Sequence, residues 1–459
     1  MLTPFNDKLY MQGRDATKGD ELHAYENSGA RPELVYDLMP GSSNGLKRCN
    51  PSSQLPVLDN KLYFSGNSDT KGFELMRIGT TGAPEAAGPE VFPGTSSSDP
   101  MHLINFDNKI FFTATHPDYG TELHAYNLAT NTSAPVADIA PGASSSTPGM
   151  SVEYKGKLYF PAGNATTGRE LYCYDPSTKI AALVQDIHVG FDNANPASLT
   201  VADGKLYFSA NTLAYGTELY SYDGTDLKRC TDVNTGAANG VSIIGGYYKG
   251  KLFFSGNSGS GFQLFSYNVS TNTTTFERTI NPTGDAYPNN FCVYGRKLYF
   301  AANDGVNGAE LWVYDGSLAT MVKDLEPGSN PSNPNDLIVW KGKLMFRATT
   351  SALGSELYQL TTSEGLGFGD VSFKGSVIIA PNPATTDTRL LLNLDVSQKL
   401  QISISDIIGK QLYHIPARKY ESGSQEVTLP LSQYSTGTYF YTIADEQGKM
   451  LINGKVNKF

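Results

Sequence analysis

The chain has 459 residues and a formal net charge of −10, with only 17% of its residues charged. That acidic balance argues against nucleic acid or an anionic membrane surface as the main partner, and no apolar run is long enough to span a bilayer. The 46 Gly, 27 Tyr and 22 Phe, with Gly, Pro, Asn and Ser punctuating short aromatic or β-branched runs, argue against a helical protein and predict an all-β one.

The N-terminus, "MLTPFNDKLY", has neither a basic start nor an apolar core, so the sequence as it stands shows no secretory signal. From "DKLYMQGRDATKGDELHAY" onward, one segment recurs eight times, through "NKIFFTATHPDYGTELHAY" and "RKLYFAANDGVNGAELWVY" to "GKLMFRATTSALGSELYQL". Its lysines are Lys8, Lys61, Lys109, Lys157, Lys205, Lys251, Lys297 and Lys343, at intervals of 53, 48, 48, 48, 46, 46 and 46 residues. Each unit reads as four strands. In the fifth, "SLTVAD", "KLYFSAN", "ELYSYD" and "DLKRCTDV" are separated by turns or loops. Four strands in about 40–50 residues are the signature of a propeller blade. Blades pack on both faces, which explains why "KLYF" and "ELWVY" lack a polar face.

Between units runs a connector, "DLMPG", "EVFPG", "DIAPG" and their relatives, opened by Asp37, Glu90, Asp138, Asp186, Asp232, Thr279 or Asp324. These residues are expected to cap turns. The connector must return from the outer strand of one blade to the inner strand of the next. It therefore shares a face with the middle hairpin loop, opposite the short "DGK" and "DGT" turns, and ligands are expected on this long-loop face. The reading is an eight-bladed propeller over residues 1–362, with seven closed blades plus an odd hairpin as the alternative.

Seven hairpins carry Glu at one position (Glu21, Glu74, Glu122, Glu170, Glu218, Glu310 and Glu356), and the sixth has Gln263. A carboxylate replaceable by Gln is expected to accept N–H groups of its own loop rather than to catalyse, since catalysis needs two carboxyls held at different pKa values. The loop aromatics Phe73, Tyr119, Phe191, Tyr215 and Tyr287, set among Asn and Ser, are the candidate ligand-binding residues, because flat apolar faces beside neutral donors suit sugars. No cofactor or metal set is expected, although a single calcium site at Asp304 or Asp69 stays open. His23 and His124 occupy the same place in different repeats and do not converge. Cys49, Cys173, Cys230 and Cys292 lack CxxC spacing and read as buried thiols.

The chain changes character after a linker at residues 363–376. Residues 377–459 alternate as strands, lose the hairpin lysine and predict a small Ig-like β-sandwich.

Two resemblances follow. "GAELWVYDG", "GTELYSYDGT" and "GRELYCYD" resemble the ELWxxDGT repeat proteins of Bacteroidetes-type bacteria, although only one copy keeps the Trp. That family implies an exported propeller and no particular activity. The tail resembles a type A sorting domain of the type IX secretion system through Pro381, Asn382 and Pro383, Gly409 and Lys410, Gly437, Thr438 and Tyr439, and the basic end at Lys455 and Lys458. This implies the type IX machinery as partner, export to the surface or the medium, usual removal of the tail, and a precursor signal upstream of Met1. The function expected is a non-enzymatic glycan or surface-ligand binder of adhesin type. A polysaccharide lyase or hydrolase and a passive surface protein are the alternatives.

Overall fold

The computed structural model describes residues 1–26, 31–48, 54–68, 71–80, 82–360, 375–381, 384–394, 397–406, 410–446, 448 and 450–458. Cys49, Asp69, Asn382, Pro383, Gly409 and most of the expected linker lie outside these. Two compact units, Met1–Thr361 and Thr362–Phe459, divide the chain. Every regular element described is a strand, and no helix is long and apolar enough to cross a membrane.

The first unit is a β-propeller of eight antiparallel sheets, one per repeat, with strands paired in sequence order. In the third blade these are Met101–Phe106, Lys109–His116, Gly120–Asn127 and Thr132–Pro135. The second blade has a split inner strand: Leu46–Lys47 and Val57–Leu58 both pair with Lys61–Ser68. Nine residues of sequence separate these two pieces, in keeping with the longer first interval. The eighth blade has three strands among the described residues, Asn335–Trp340, Lys343–Thr350 and Gly354–Gln359.

The short turn before each lysine holds two residues at positive φ, such as Asp107 at 48° and Asn108 at 55°. Such turns match the twist of a two-residue hairpin and favour Asn, Asp and Gly. Across the middle hairpin the register sets Phe112 opposite His124, Phe160 opposite Tyr172, and Phe300 opposite Trp312. The fourth letter of "KLYF" therefore stacks on the third of "ELW", as Phe160 does on Tyr172 at 6.4 Å and Phe208 on Tyr220 at 6.1 Å.

A second set of aromatics joins blades. The third letter of "KLYF" meets the final Tyr of the next blade: Tyr63 with Tyr126, Phe111 with Tyr174, Tyr159 with Tyr222, Tyr207 with Tyr267, and Phe253 with Tyr314, at 5.1–6.2 Å. Full burial of such a side chain contributes about 1.5–3 kcal/mol, so this row is a principal source of ring cohesion.

The ring closes by the same contacts. Leu2, Leu9 and Met11 of the first blade pack with Trp340 and Met345 of the eighth, and Tyr25 lies 5.8 Å from Trp340. On the short-turn face Tyr154 donates to Gly204 O at 2.8 Å and Tyr294 to Gly342 O at 3.0 Å, each reaching the next blade. Lys341 makes the equivalent bond from blade eight to Asp7 O of blade one at 2.7 Å.

The second unit is a sandwich of a three-stranded and a four-stranded antiparallel sheet. Its first strand begins at Gly375, two residues before the expected boundary. Alternating Leu400, Ile402 and Ile404 on one sheet and Leu390 and Leu392 on the other fill the core. Tyr439 is buried and donates to Ser435 O at 2.6 Å. Lys458 folds its ammonium back onto Ser432 O and Tyr434 O. Lys410 is exposed, and its backbone N–H reaches Asp406 at 2.9 Å.

Candidate functional site: the long-loop face

Each of the first seven hairpin loops ends in a glycine on which the connector of the same blade rests. Gly120 has φ +62°, and a Cβ there would lie 2.1 Å from Ser144 O; at Gly168 the corresponding atom is Asp192 O, also at 2.1 Å. Left-handed backbone and close approach both demand glycine here.

The glutamate two residues later fastens the connector. Glu122 accepts from Ile139 N at 3.3 Å, Ala140 N at 3.1 Å, Ser146 N at 3.0 Å and Ser146 Oγ at 2.5 Å. Glu74 binds Val91, Phe92 and Ser98 in the same way, Glu170 binds Ile187, His188 and Ala194, and Glu310 binds Leu325 and Ser332. Glu21 reaches Leu38 and Met39, and Glu218 reaches Val233, Asn234 and Thr231. The donors are thus connector amides and hydroxyls, not those of the hairpin's own loop as expected: the glutamate lies inside its strand and is buried, so its carboxylate meets the connector rather than the loop. Gln263 accepts from Ile280 N and Asn281 N through Oε1, while its Nε2 donates to Asn281 O and Gly284 O. Glu356 differs, being exposed, and the residues that would form its connector lie outside those described.

The small residue gripped by the glutamate also serves the next blade. Ser98 O accepts from Thr115 N, Ser146 O from Gly163 N, Ala194 O from Asn211 N and Ser332 O from Thr349 N, at 2.7–3.0 Å. One residue per seam is therefore bonded to two blades. Burial raises the carboxyl pKa of Glu21, Glu74, Glu122, Glu170 and Glu218 above the ordinary range, with the donated hydrogen bonds opposing that rise.

The connector acids act closer to home. Glu90, Asp138 and Asp186 each accept the amide four residues on, from Gly94, Gly142 and Gly190. Asp304 spends both oxygens on its own loop, accepting from Val306 N, Asn307 N and Asn307 Nδ2. Among the described residues no group of three His, Cys, Asp or Glu is placed to hold a metal.

The five candidate aromatics fall one per blade on blades two to six, four of them beside a partner of their own, and Phe73 lies within the strand Gly72–Ile78 and not in a loop as expected. Phe73 is half-buried, with Lys47 Nζ 5.7 Å from its ring. Tyr119, 37% exposed, leans on His116 at 4.9 Å. Arg229 covers one face of Tyr215 at 3.6 Å. Tyr287, 45% exposed, stacks on Phe262 at 5.2 Å. Phe191 is the most open, at 78%. No ring contact joins any two of the five among the described residues, so they form an arc of separate platforms and not one pocket. His124 is buried in the third blade and its pKa falls to about 4 through burial, while His23 lies two blades away in the first. Cys173, Cys230 and Cys292 are free and half-buried instead of fully buried.

A second region, at the inner edges of the blades, was not singled out in the sequence. Inner strands carry a bulge seven residues before the hairpin lysine, with left-handed His102, Ser198, Asn290 and Asp336 at φ of 54–55°. Its side chain reaches toward the next blade: His102 Nδ1 lies 3.1 Å from Pro148 O, and Asn290 Nδ2 lies 3.3 Å from Pro334 O. At the eighth blade the residue is charged. Asp336, almost fully buried, meets Met1 N at 2.5 Å, Arg48 at 3.0 Å and Arg347 at 3.4 Å. A cavity of about 160 Å³ lies beside His102, bordered by Gln54, Pro56, Asn105, Met150 and Ser151. Aligning the repeats on their lysines exposes the departure at this position, where most blades carry an uncharged residue.

The fold defines a propeller whose long-loop face is tied down by an internal clamp, followed by a separate sandwich. Residues 378–453 of that sandwich match the family described as secretion system C-terminal sorting domain. The protein therefore carries a type IX sorting tail and is a secreted or cell-surface protein. No curated protein matches the chain. Among solved structures, a puromycin hydrolase is similar at 12% identity and a TM-score of 0.47, over 76% of this chain and 57% of its own. PorZ, a surface component of the type-IX secretion system of Porphyromonas gingivalis, is similar at 12% identity and a TM-score of 0.38, over 100% of this chain and 75% of its own. Dipeptidyl peptidase 4 of the same organism is similar at 11% identity and a TM-score of 0.46, over 86% and 64%. The chain spans only 57% of the hydrolase, and likeness at this level says nothing of activity.

Proposed function

We propose that the propeller is a binding module that recognises glycans at or outside the cell surface and is carried there by its sorting tail. The observation that carries this reading is the arc of exposed loop aromatics on four consecutive blades, three to six, Phe191 and Tyr287 foremost. Flat rings beside Asn and Ser side chains offer sugars stacking faces and neutral hydrogen-bonding partners. The clamp glutamates support a role without catalysis, because those described as buried spend their oxygens on connector donors. The resemblance of the repeats to ELWxxDGT proteins fits an exported propeller.

The test is a glycan array probed with the full chain, in calcium and in chelator. Saturable binding is expected, weakened about tenfold or more when Phe191 and Tyr287 are both changed to Ala, since stacking platforms are worth about 1–3 kcal/mol each. Silence across the array in both conditions overturns the glycan reading and leaves a protein-binding or passive surface role.

A further inference from the structure

The row of aromatic pairs that joins the blades is broken at the first seam. At five other seams the third residue of "KLYF" meets the tyrosine that ends the next blade's middle hairpin. Blade two ends that hairpin with Ile78 instead: Ile78 stands opposite Leu62 as Tyr126 of blade three stands opposite Ile110. Tyr10 of blade one leans on Phe5 of its own blade at 5.6 Å and meets no ring of blade two among the described residues. A cavity of about 250 Å³ opens where that ring would lie, bordered by Tyr10 and Ile78.

The filled seams show what such a ring does with its hydroxyl. Tyr314 donates to Glu277 of blade six at 2.8 Å, and the Tyr126 hydroxyl accepts from Arg77 of blade two at 2.6 Å. In both, the ring reaches an ionic side chain of the preceding blade. The first seam offers the same chemistry, because Lys8, Glu26 and Glu33 of blade one border its cavity. Lys8 Nζ pairs with Glu26 at 2.5 Å, whereas Glu33 makes no ion pair among the described residues. Tyr10 is 5% exposed, and no described residue hydrogen-bonds its hydroxyl. Burial raises its pKa, so the hydroxyl stays protonated. Ala24, Leu34 and Val35 complete the wall with apolar surface.

We propose that this cavity is a binding site for a para-hydroxyphenyl ring, carried by a tyrosine of a partner protein or by a free phenol. The ring lies against Tyr10 and Ile78, and its hydroxyl donates to Glu33. The volume of about 250 Å³ exceeds the roughly 150 Å³ that admits benzene to a protein interior, which leaves room for the hydroxyl and the attached chain. Lys8 follows a short turn, and Glu26 and Glu33 flank the turn between the third and fourth strands. The site therefore belongs to the short-turn side of the ring and is independent of the glycan reading.

The experiment is calorimetric titration of the full chain with acetyl-Gly-Tyr-Gly-amide, with the same peptide carrying Phe, and with p-cresol. The tyrosine peptide and p-cresol are expected to bind saturably and in competition. The Phe peptide is expected to bind at least about tenfold more weakly, the scale of one hydrogen bond to a charged acceptor. Ile78→Tyr recreates the pair of the five filled seams, so it is expected to melt no lower than the wild type and to abolish binding of both phenols. Glu33→Leu, at an exposed position, is expected to bring the tyrosine peptide down to the level of the Phe peptide, and it decides if Ile78→Tyr does not fold. A tyrosine peptide tighter than p-cresol assigns the site to a protein partner, and the reverse order to a free phenol. Equal affinity for the Tyr and Phe peptides overturns the role of the hydroxyl. Binding untouched by Ile78→Tyr overturns the location, and absence of binding by either phenol overturns the whole proposal.

Discussion

Glu122 holds four donors in a place that water does not reach. Removing the carboxylate strands the amides of Ile139, Ala140 and Ser146, each at about 1–3 kcal/mol. Glu122→Ala is therefore expected to destabilise the propeller by at least about 3 kcal/mol, read by urea unfolding of the full chain. Glu122→Gln is expected to cost much less, because Gln263 already occupies the equivalent site and Ser146 Oγ can turn to accept the amide. The two proteins should also differ in pH response. Burial raises the folded pKa of Glu122, so the native state binds a proton that the unfolded chain still releases. Stability from this group is fully present below the ordinary carboxylate pKa and is lost as pH rises through the raised folded value. The melting temperature of the wild type relative to Glu122→Gln is expected to rise as pH falls from about 7 toward about 5. A difference independent of pH would show that the carboxyl titrates alike in both states.

Within the hairpin, glycine and register do different work. Gly120 and Gly354 share a left-handed φ, +62° and +74°, but only Gly120 lies against a connector carbonyl; a Cβ at Gly354 meets nothing within 4 Å. Gly354→Ala is expected to cost about 1–2 kcal/mol for the backbone alone, and Gly120→Ala clearly more, because Ser144 must move. Similar melting shifts for the two would refute the connector contact. Elements at this scale were legible in the sequence. The lysine period located the hairpins, and the alternation of "KLYF" and "ELWVY" told of two packed faces. The partner of the glutamate was not legible, because Glu122 and Ser146 stand 24 residues apart and no local pattern joins them. Tyr119, Phe191, Tyr215 and Tyr287 lie outside the strands, whereas Phe73 belongs to the strand Gly72–Ile78, and Arg229 lying over Tyr215 depends on an outer strand that sequence cannot aim.

For the ring as a whole, the sequence left closure open, and the structure closes it by face packing plus one buried charge. Asp336 of blade eight meets Arg48, which leads into blade two, and Arg347 of its own blade. Asp336→Ala leaves two partly buried guanidiniums without their shared carboxylate, at an expected cost of about 3–5 kcal/mol. Asp226→Ala, which breaks only the exposed pair with Lys228, is expected to cost under about 1 kcal/mol. Thermal melts check the ranking, and limited proteolysis of Asp336→Ala is expected to open the chain first around blades one and eight. Equal effects of the two substitutions would deny Asp336 any special part in closure. The charge was visible in the sequence, but its burial was not: the bulge that turns it inward is a backbone event with no fixed residue type.

The small residue shared by each seam has a consequence for descent. Ser146 belongs to the glutamate behind it and to the strand ahead of it, so a blade inherited alone brings half of two seams. Gain or loss of whole periods keeps both halves matched, whereas a crossover between Glu122 and Ser146 joins a clamp to a foreign connector. Lineages of this protein are therefore expected to differ by entire repeats and by drift at open tips such as Phe191, with the segment from glutamate to seam residue passed on as a single heritable block.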